Sequence, residues 1–359
     1  NLSRGSYLSS KVLILFLISA IQSLSYVLVS NFILEIEGLW LEFWLVLFSA
    51  SCVANVMGLN ISSAFNTAKV IYIIVPILII PQLLFSGVIV KFDRLHPAFS
   101  SRVEVPWIGN VMPSRWAYEA LTVIQVNHNP LNEQFYQLNK VKSDAGWKKD
   151  FWINEMNNQF DDLRNGELDK ETRENALTLL ENEIKKEESR WDNLKCVKCE
   201  QELRSLLKNG NLNPIGISSF LEVLRLQYNQ TYNRQSDEIE AKKKQIGIDN
   251  YTALRNRYMN EALTDQATNR LEKDKAVIEN SEIHRKDAPI YYENKNLRFL
   301  DAPFYSPVKY VFGYKLNTFW ANIIVLWVFV IISFVALYYN MLELGMNTYA
   351  RWKEKTFKK

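Results

Sequence analysis

Residues 319–339 read FWANIIVLWVFVIISFVALYY. No charge interrupts the run, and aromatic residues stand at both ends. A helix crossing the roughly 30 Å hydrocarbon core of a bilayer needs about 20 apolar residues. Trp and Tyr concentrate where such a helix meets water, so the stretch predicts a membrane span. The same test picks out three more. Val12–Leu34 carries no charge, Leu39–Leu59 is interrupted only by Glu42 near one end, and Val70–Val90 again carries no charge. Composition over all 359 residues hides this, at 48% hydrophobic and 23% charged. The charges crowd the stretch from about 130 to 300, so a uniform soluble globule is excluded. The length suits roughly two domains. A net charge of +3 gives no basic footprint for nucleic acid. Three cysteines exclude a disulfide-dense scaffold, and 12 Gly with 10 Pro exclude collagen-like or low-complexity chains.

Basic residues in the short flanks orient the spans. Arg4 and Lys11 precede the first, the 35–37 turn has none, Lys69 lies between the second and third, and the tail ARWKEKTFKK at 350–359 is strongly basic. Four spans with both ends cytoplasmic fit this pattern, in an integral protein of the cell (inner) membrane. Residues 91–317 then lie outside, since long domains translocate largely regardless of charge. The chain opens on Asn1 rather than Met and is expected to continue a longer polypeptide. Its first apolar run is too long for the h-region of a cleaved signal.

Ser19, Gln22, Ser23, Tyr26 and Ser30 recur at helical spacing on the first span, and Gly58, Ser62 and Ser63 end the second. They admit two readings, helix–helix packing through small polar residues or the lining of a polar path. Pro76 and Pro81 remove backbone donors inside the third span and are expected to kink it. After it comes KFDRLHPAFSSRVEVPWIGNVMPSRWAYEALTVIQ, residues 91–125. It is too polar to span and reads, over 95–125, as a re-entrant or interfacial segment with Trp107, Trp116 and Tyr118 at headgroup level.

These motifs, in this order, resemble the permease half of ABC-2 type exporters, in the ABCG-like (White/pleiotropic drug resistance) branch. LSRGSYLSSKV, with Ser6, Tyr7 and Lys11, resembles the segment before that family's third membrane helix. PQLLFSGVIV, with Phe85, Ser86 and Gly87, resembles the outer end of its fifth. MPSRWAYEAL, with Arg115, Ala120 and Leu121, resembles its re-entrant segment, and the last span with its basic tail resembles the sixth helix. The resemblance covers about 1–125 and 305–350. It implies that the four spans are helices three to six, working as a homodimer. An ATP-binding cassette, upstream or on another chain, would supply ATP and Mg, so this chain itself holds no cofactor. It further implies that Arg4, Tyr7 and Lys11 couple to that cassette and that Val88 and Ile89 close the outer end of the path. Tyr72, Pro76 and Gln82 would lie on the cavity helix, and Arg115, Trp116 and Glu119 in the re-entrant segment. Bland alternatives stand beside these roles. Arg4 can be a positive-inside anchor, and Val88 and Ile89 ordinary lipid-facing residues.

The departure from that family is an insertion of about 126–300. It reads as mostly helical, and the whole chain as an all-α membrane protein. Ala176, Leu177, Leu180, Ile184, Trp191 and Leu194 make an apolar stripe within 169–207. Asn209-Gly210-Asn211 then turns the chain. A second helix is expected over 218–244, with Ser218 or Ser219 as N-cap and Glu222 completing a capping box. A third is expected over Tyr251–Ile278, and the returning segment 288–307 is extended and aromatic. The charge runs Glu183–Arg190 and Glu240–Lys244 read as solvated helix faces. Cys196 and Cys199 form a lone Cys-x-x-Cys that admits a local disulfide, unpaired thiols, or half of a zinc site shared across a dimer. Cys52 reads as a small packing residue. His96, His128 and His284 are scattered, with His128 read as surface. No Walker A, Gly-x-Ser-x-Gly or His-Glu-x-x-His motif occurs.

Transport therefore leads. The alternative is a membrane-anchored scaffold or receptor whose helical outer domain binds a partner, an envelope component being the natural class. Catalysis by this chain is not expected, because its only intramembrane or membrane-proximal carboxylates, Glu42 and Glu119, stand isolated in the sequence.

Overall fold

A computed structural model of the chain describes residues 3–65, 67–92, 95–96, 105–165, 169–190, 216–294 and 298–348. In chain order the first helices are α1 (Arg4–Ile33), α2 (Trp40–Ala64), α3 (Ala68–Leu84), the single turn α4 (Trp107–Asn110) and α5 (Pro113–Asn127). Then come α6 (Asn132–Trp147), a π-helical turn (Lys148–Trp152), α7 (Ile153–Asn165), α8 (Lys170–Arg190), α9 (Gly216–Ile246), α10 (Ile248–Tyr258) and α11 (Glu261–Ala267). Two antiparallel hairpins follow, β1 (Ala276–Glu279) with β2 (Glu282–Arg285) and β3 (Val308–Val311) with β4 (Tyr314–Asn317), and α12 (Thr318–Tyr338) closes the series. The all-α expectation is thus amended by two short hairpins in a mostly helical protein. The chain divides into two compact units, Asn1–Pro130 with Arg257–Met259 and Asn294–Lys359, and Leu131–Asn256 with Asn260–Glu293.

In the first unit, α1, α2 and α12 are each long and apolar enough to cross a membrane. α1 packs on α2, and α2 and α5 pack on α12. Their shared core includes Val46, Val53 and Val56 of α2, Trp116 and Ala120 of α5, and Phe319, Ile323 and Leu326 of α12. Cys52 packs there as a buried free thiol, as expected. Small polar residues join these helices, which favours the packing reading of the serine stripe. Asn55 Nδ2 donates to Ser19 Oγ at 2.7 Å, and Asn60 Nδ2 to the Ser333 carbonyl at 2.8 Å. Ser19 and Ser23 are buried, whereas Gln22 and Tyr26 are exposed.

α3 is apolar but shorter, and none of its residues is buried. It runs as one helix through Pro76 and Pro81 and stops at Leu84, six residues before the end that hydropathy suggests. Ser86 and Gly87 explain the stop. Ser86 Oγ donates to the Leu83 carbonyl at 2.8 Å and accepts from Val88 N at 3.2 Å. Gly87 adopts φ +80°, where a Cβ would meet the Phe304 ring at 2.7 Å, so only glycine fits.

The second unit packs α6, α7, α8 and α9 around Trp152, Met156, Leu180, Leu221 and Leu224. Ala176, Leu177, Leu180 and Ile184 are buried on α8 as the stripe predicts, while Trp191 and Leu194 lie outside the described residues. Two readings are corrected. α9 already begins at Gly216, so Ser218 and Ser219 stand inside the helix rather than capping it. The expected third helix breaks into α10 and α11, because Asn260 accepts from Leu263 N at 3.0 Å and starts a new helix. The chain then turns at Asn280 and Ser281 to pair β1 with β2.

The charge run on α8 is a solvated face only in part, with Lys185, Lys186 and Arg190 exposed. Glu183 and Glu187 are buried against the π-helical turn. Trp152 Nε1 donates to Glu183 Oε2 at 2.6 Å, Lys148 Nζ meets Glu187 Oε1 at 2.5 Å, and Tyr228 OH donates to Glu187 Oε2. The extra backbone residue of an i→i+5 turn rotates Lys148 and Trp152 onto that face.

Candidate functional site

Helix α5 mixes polar and apolar residues yet is mostly buried, with Pro113 in its first turn and Arg115 and Glu119 four residues apart on one face. Both side chains are essentially inaccessible, at 1% and 0%. Lys309 of β3, also 1% exposed, brings its Nζ to Glu119 Oε2 at 2.6 Å. Asn322 of α12 donates through Nδ2 to the same oxygen at 2.8 Å and to the Trp116 carbonyl at 3.1 Å. Tyr305 N donates to Glu119 Oε1 at 3.2 Å. One carboxylate thus ties together a helix, a hairpin and the last apolar span.

The aromatic surroundings complete the site. Trp116 Nε1 donates to the Asn110 carbonyl at 2.8 Å, and its ring stacks on Phe299 with centroids 5.8 Å apart. The Arg115 Cζ lies 4.0 Å and the Lys309 Nζ 4.4 Å from the Trp116 ring centroid, within cation–π range. Trp116 is therefore buried in the core, whereas Trp107 is exposed.

Two cations share one anion here. Arg115 reaches Glu119 only through Nη2, at 3.7 Å, and no described residue accepts from its Nε or Nη1. Asn322 Oδ1 is likewise buried without a donor among the described residues. Burial pushes the Lys309 ammonium down to about 7, Glu119 opposing that shift and Arg115 adding to it. Isolated charges in a low-dielectric interior are costly, and among the described residues this cluster is one acceptor short.

The remaining candidates fall elsewhere. Ser3 caps α1 by accepting from Ser6 N at 3.2 Å. Arg4 then turns onto the end of α12, donating to Asn340 Oδ1 and to the Leu337 carbonyl at 3.5 Å. Tyr7 is exposed, with Lys11 Nζ 4.4 Å above its ring. Tyr72 is exposed on α3 beside Pro76. Gln82 joins α3 to α5, its Oε1 accepting from Ser114 N at 3.2 Å and its carbonyl from Ser114 Oγ at 2.7 Å. Val88 and Ile89 are exposed in the bend beyond α3, not on the helix. Cys196 and Cys199 lie outside the described residues.

His128 and Asn317 meet through Nε2 and Nδ2 at 3.2 Å, so His128 is partly enclosed rather than on the open surface. Among the described residues no group of His, Cys, Asp and Glu could hold a metal ion. Sequence reasoning found Arg115 and Glu119 but missed Lys309 and Asn322. The available signals were Asn322, the one amide inside the last apolar span, and Lys309, one of two lysines shortly before it.

Searches of curated proteins and of solved structures give no match. Residues 1–126 match the family model described as ABC-2 type transporter, so this segment, which carries α1 to α3 and nearly all of α5, is similar to the membrane domain of such a transporter.

Proposed function

We propose that the chain is the transmembrane part of an ATP-driven ABC-2, ABCG-like exporter. It forms the substrate path as a dimer, and it is driven by an ATP-binding cassette outside this chain that binds ATP and Mg and carries out hydrolysis. The observation that carries this reading is the match of residues 1–126 to the ABC-2 family model, on a segment that folds into apolar helices.

Contacts inside the first unit support four crossings. Arg4, at the start of α1, bonds the end of α12 at Leu337 and Asn340. The start of α12, at Asn317, meets His128, and Pro130 close by packs on Gly38 in the α1–α2 turn. Both ends of the unit therefore share one side of the membrane, and the turn between α1 and α2 faces the other. The chain must cross once more between Ala64 and Thr318, and α3 is the remaining apolar helix among those described. Its 17 residues span about 25 Å at 1.5 Å each, a mismatch that local thinning absorbs at modest cost. In this arrangement both termini are cytoplasmic, α5 is a re-entrant helix on the outer side, and the second unit is an extracytoplasmic insertion with its own core.

Arg4, Tyr7 and Lys11 then receive motion from the cassette, and Arg4 passes it to α12. Glu119 holds α12 to α5 and to the β3–β4 hairpin, so movement of α12 is opposed or released there. Val88 and Ile89, exposed past the end of α3, are placed to form an apolar constriction with a second copy, which gates by excluding water. The insertion offers a surface for an envelope partner, which is also the alternative reading of the chain as an anchored receptor.

Affinity purification from native membranes tests the assignment. The expected result is co-purification of a cassette whose ATPase responds to the permease, with an Arg4→Ala variant showing weaker coupling at unchanged assembly. A chain that carries no nucleotide-hydrolysing component, with no nucleotide effect on the accessibility of a cysteine placed at Val88, overturns it.

A further inference from the structure

The two hairpins close with the same backbone geometry and opposite chemistry. In β1–β2 the turn residues are Asn280 and Ser281, at φ 54° and 57°. In β3–β4, with Val311 paired to Tyr314, they are Phe312 and Gly313, at φ 48° and 84°. Two-residue hairpin turns with both φ positive favour Asn, Asp and Gly, because a Cβ crowds the backbone there. Asn280 obeys that preference. Phe312 departs from it, as Ser281 does, but Phe312 carries a large apolar ring that the described residues leave 98% exposed, with Tyr314 80% exposed. A Cβ on Gly313 would meet nothing within 4 Å. A strained aromatic held out at a hairpin tip needs a partner outside the fold.

The chain itself indicates which partner. β4 ends at Asn317, whose side chain caps α12 by accepting from Phe319 N at 2.9 Å, so no linker separates the hairpin from the apolar span. Thr318 N and Oγ1 also donate to the Pro307 and Ser306 carbonyls, at 3.0 and 2.6 Å. The base of the hairpin is thereby fixed to the first turn of α12. Strands of four residues reach about 13 Å, so the tip stays close to the plane where the span enters the bilayer. Trp320, in the first turn of α12, is exposed. The tip offers an apolar ring and an amphipathic tyrosine, the chemistry of the headgroup–acyl boundary.

We propose that Phe312 and Tyr314 are a membrane-surface anchor, inserting the β3–β4 tip into the leaflet that α12 enters. The anchor pins the hairpin that carries Lys309, and so holds the Glu119 cluster at a fixed depth. This rests only on α12 crossing a membrane and is independent of whether the chain transports anything.

The test uses the full chain in vesicles of phosphatidylcholine with phosphatidylglycerol. Cysteines replace Phe312, Tyr314 or Ser281 in turn, with Cys52, Cys196 and Cys199 changed to serine or alanine, and each carries a nitroxide. The label at 312 should collide with oxygen readily and with a water-soluble nickel chelate several-fold less often than the label at 281. Water-like accessibility at 312 and 314 overturns the anchor. A label shielded from both reagents also overturns it, showing instead a protein contact, with a second copy or another chain. A carbene-generating phospholipid applied to the unaltered chain avoids any folding defect of the variants. It should modify the peptide containing Phe312–Tyr314, and absence of that adduct when α12 is labelled counts against the proposal.

Discussion

Both units bury charge, but they finish the task differently. In the second unit, Glu183 takes Trp152 Nε1 at 2.6 Å, Lys186 Nζ at 2.8 Å and Ile283 N at 3.3 Å. Glu187 takes Lys148 at 2.5 Å and the Tyr228 hydroxyl. Each oxygen of these two carboxylates has a partner, and each carboxylate has a lysine beside it. In the first unit, Glu119 is equally well served, but it faces two cations, and Arg115 keeps two N–H groups with no acceptor among the described residues. A satisfied network rigidifies a fold, while a partly satisfied one stays close to rearrangement. The first suits a domain that presents a surface. The second suits a junction between α5, β3 and α12 that holds in one state and shifts in another.

The largest expected effect breaks that contrast at its centre. Glu119→Gln leaves Arg115 and Lys309 buried with no counter-charge and should cost about 3–5 kcal/mol of stability, read by thermal unfolding in detergent. Glu187→Gln should cost less, about 2–3 kcal/mol, because the amide oxygen still accepts from Tyr228 and Lys148 still lies over the Trp152 ring, its Nζ 3.9 Å from the centroid. Hydrogen exchange should confine this second loss to residues 131–293. Equal costs would show that the missing acceptor in the first unit has no energetic consequence.

A pH series sharpens the comparison further. Burial holds Lys309 at about 7 in the folded chain, against about 10.4 for an ordinary lysine. Between those values the unfolded chain binds more protons than the folded one, so stability must rise with pH, by at most about 1.4 kcal/mol per unit. Below pH 7 both states hold the proton and this contribution is flat. The expected result is a gain in unfolding free energy from pH 7 to 9 that Lys309→Met removes. A slope unchanged by that substitution would mean the proton is held elsewhere.

Parts of this were legible in the sequence for simple reasons. α1, α2 and α12 announce themselves because length and apolarity alone decide a span. The end of α3 did not, since Gly87-Val88-Ile89-Val90 stays apolar after the helix has stopped, and only the backbone angle at Gly87 reveals the turn. Glu119 looked isolated because Lys309, the cation it bonds most closely, is 190 residues away. Glu183 and Glu187 looked solvated because periodicity places them on one face but cannot say what covers it. Their cover, Lys148 and Trp152, depends on a π-helical turn with no sequence signature of its own. Trp116 reads as an interfacial anchor from its type and as a core residue only once Phe299 is seen stacked on it.

The smallest effect tests whether the second cluster is as closed as its bonding implies. Lys186 sits at its rim, 42% exposed, bridging Glu183 at 2.8 Å and Glu282 at 2.9 Å. Solvent screens both pairs, and ion pairs of this kind contribute about 0.2–1 kcal/mol. Lys186→Met removes the bridge but leaves Glu183 with Trp152 and the Ile283 amide, and the methionine covers the same apolar stem. The loss should stay near 0.5 kcal/mol by denaturant unfolding. A loss of several kcal/mol would show that Glu183 depends on its rim cation and that the interior hydrogen bonds do not suffice. The second unit would then resemble the first, with a buried carboxylate whose state is set from outside the core.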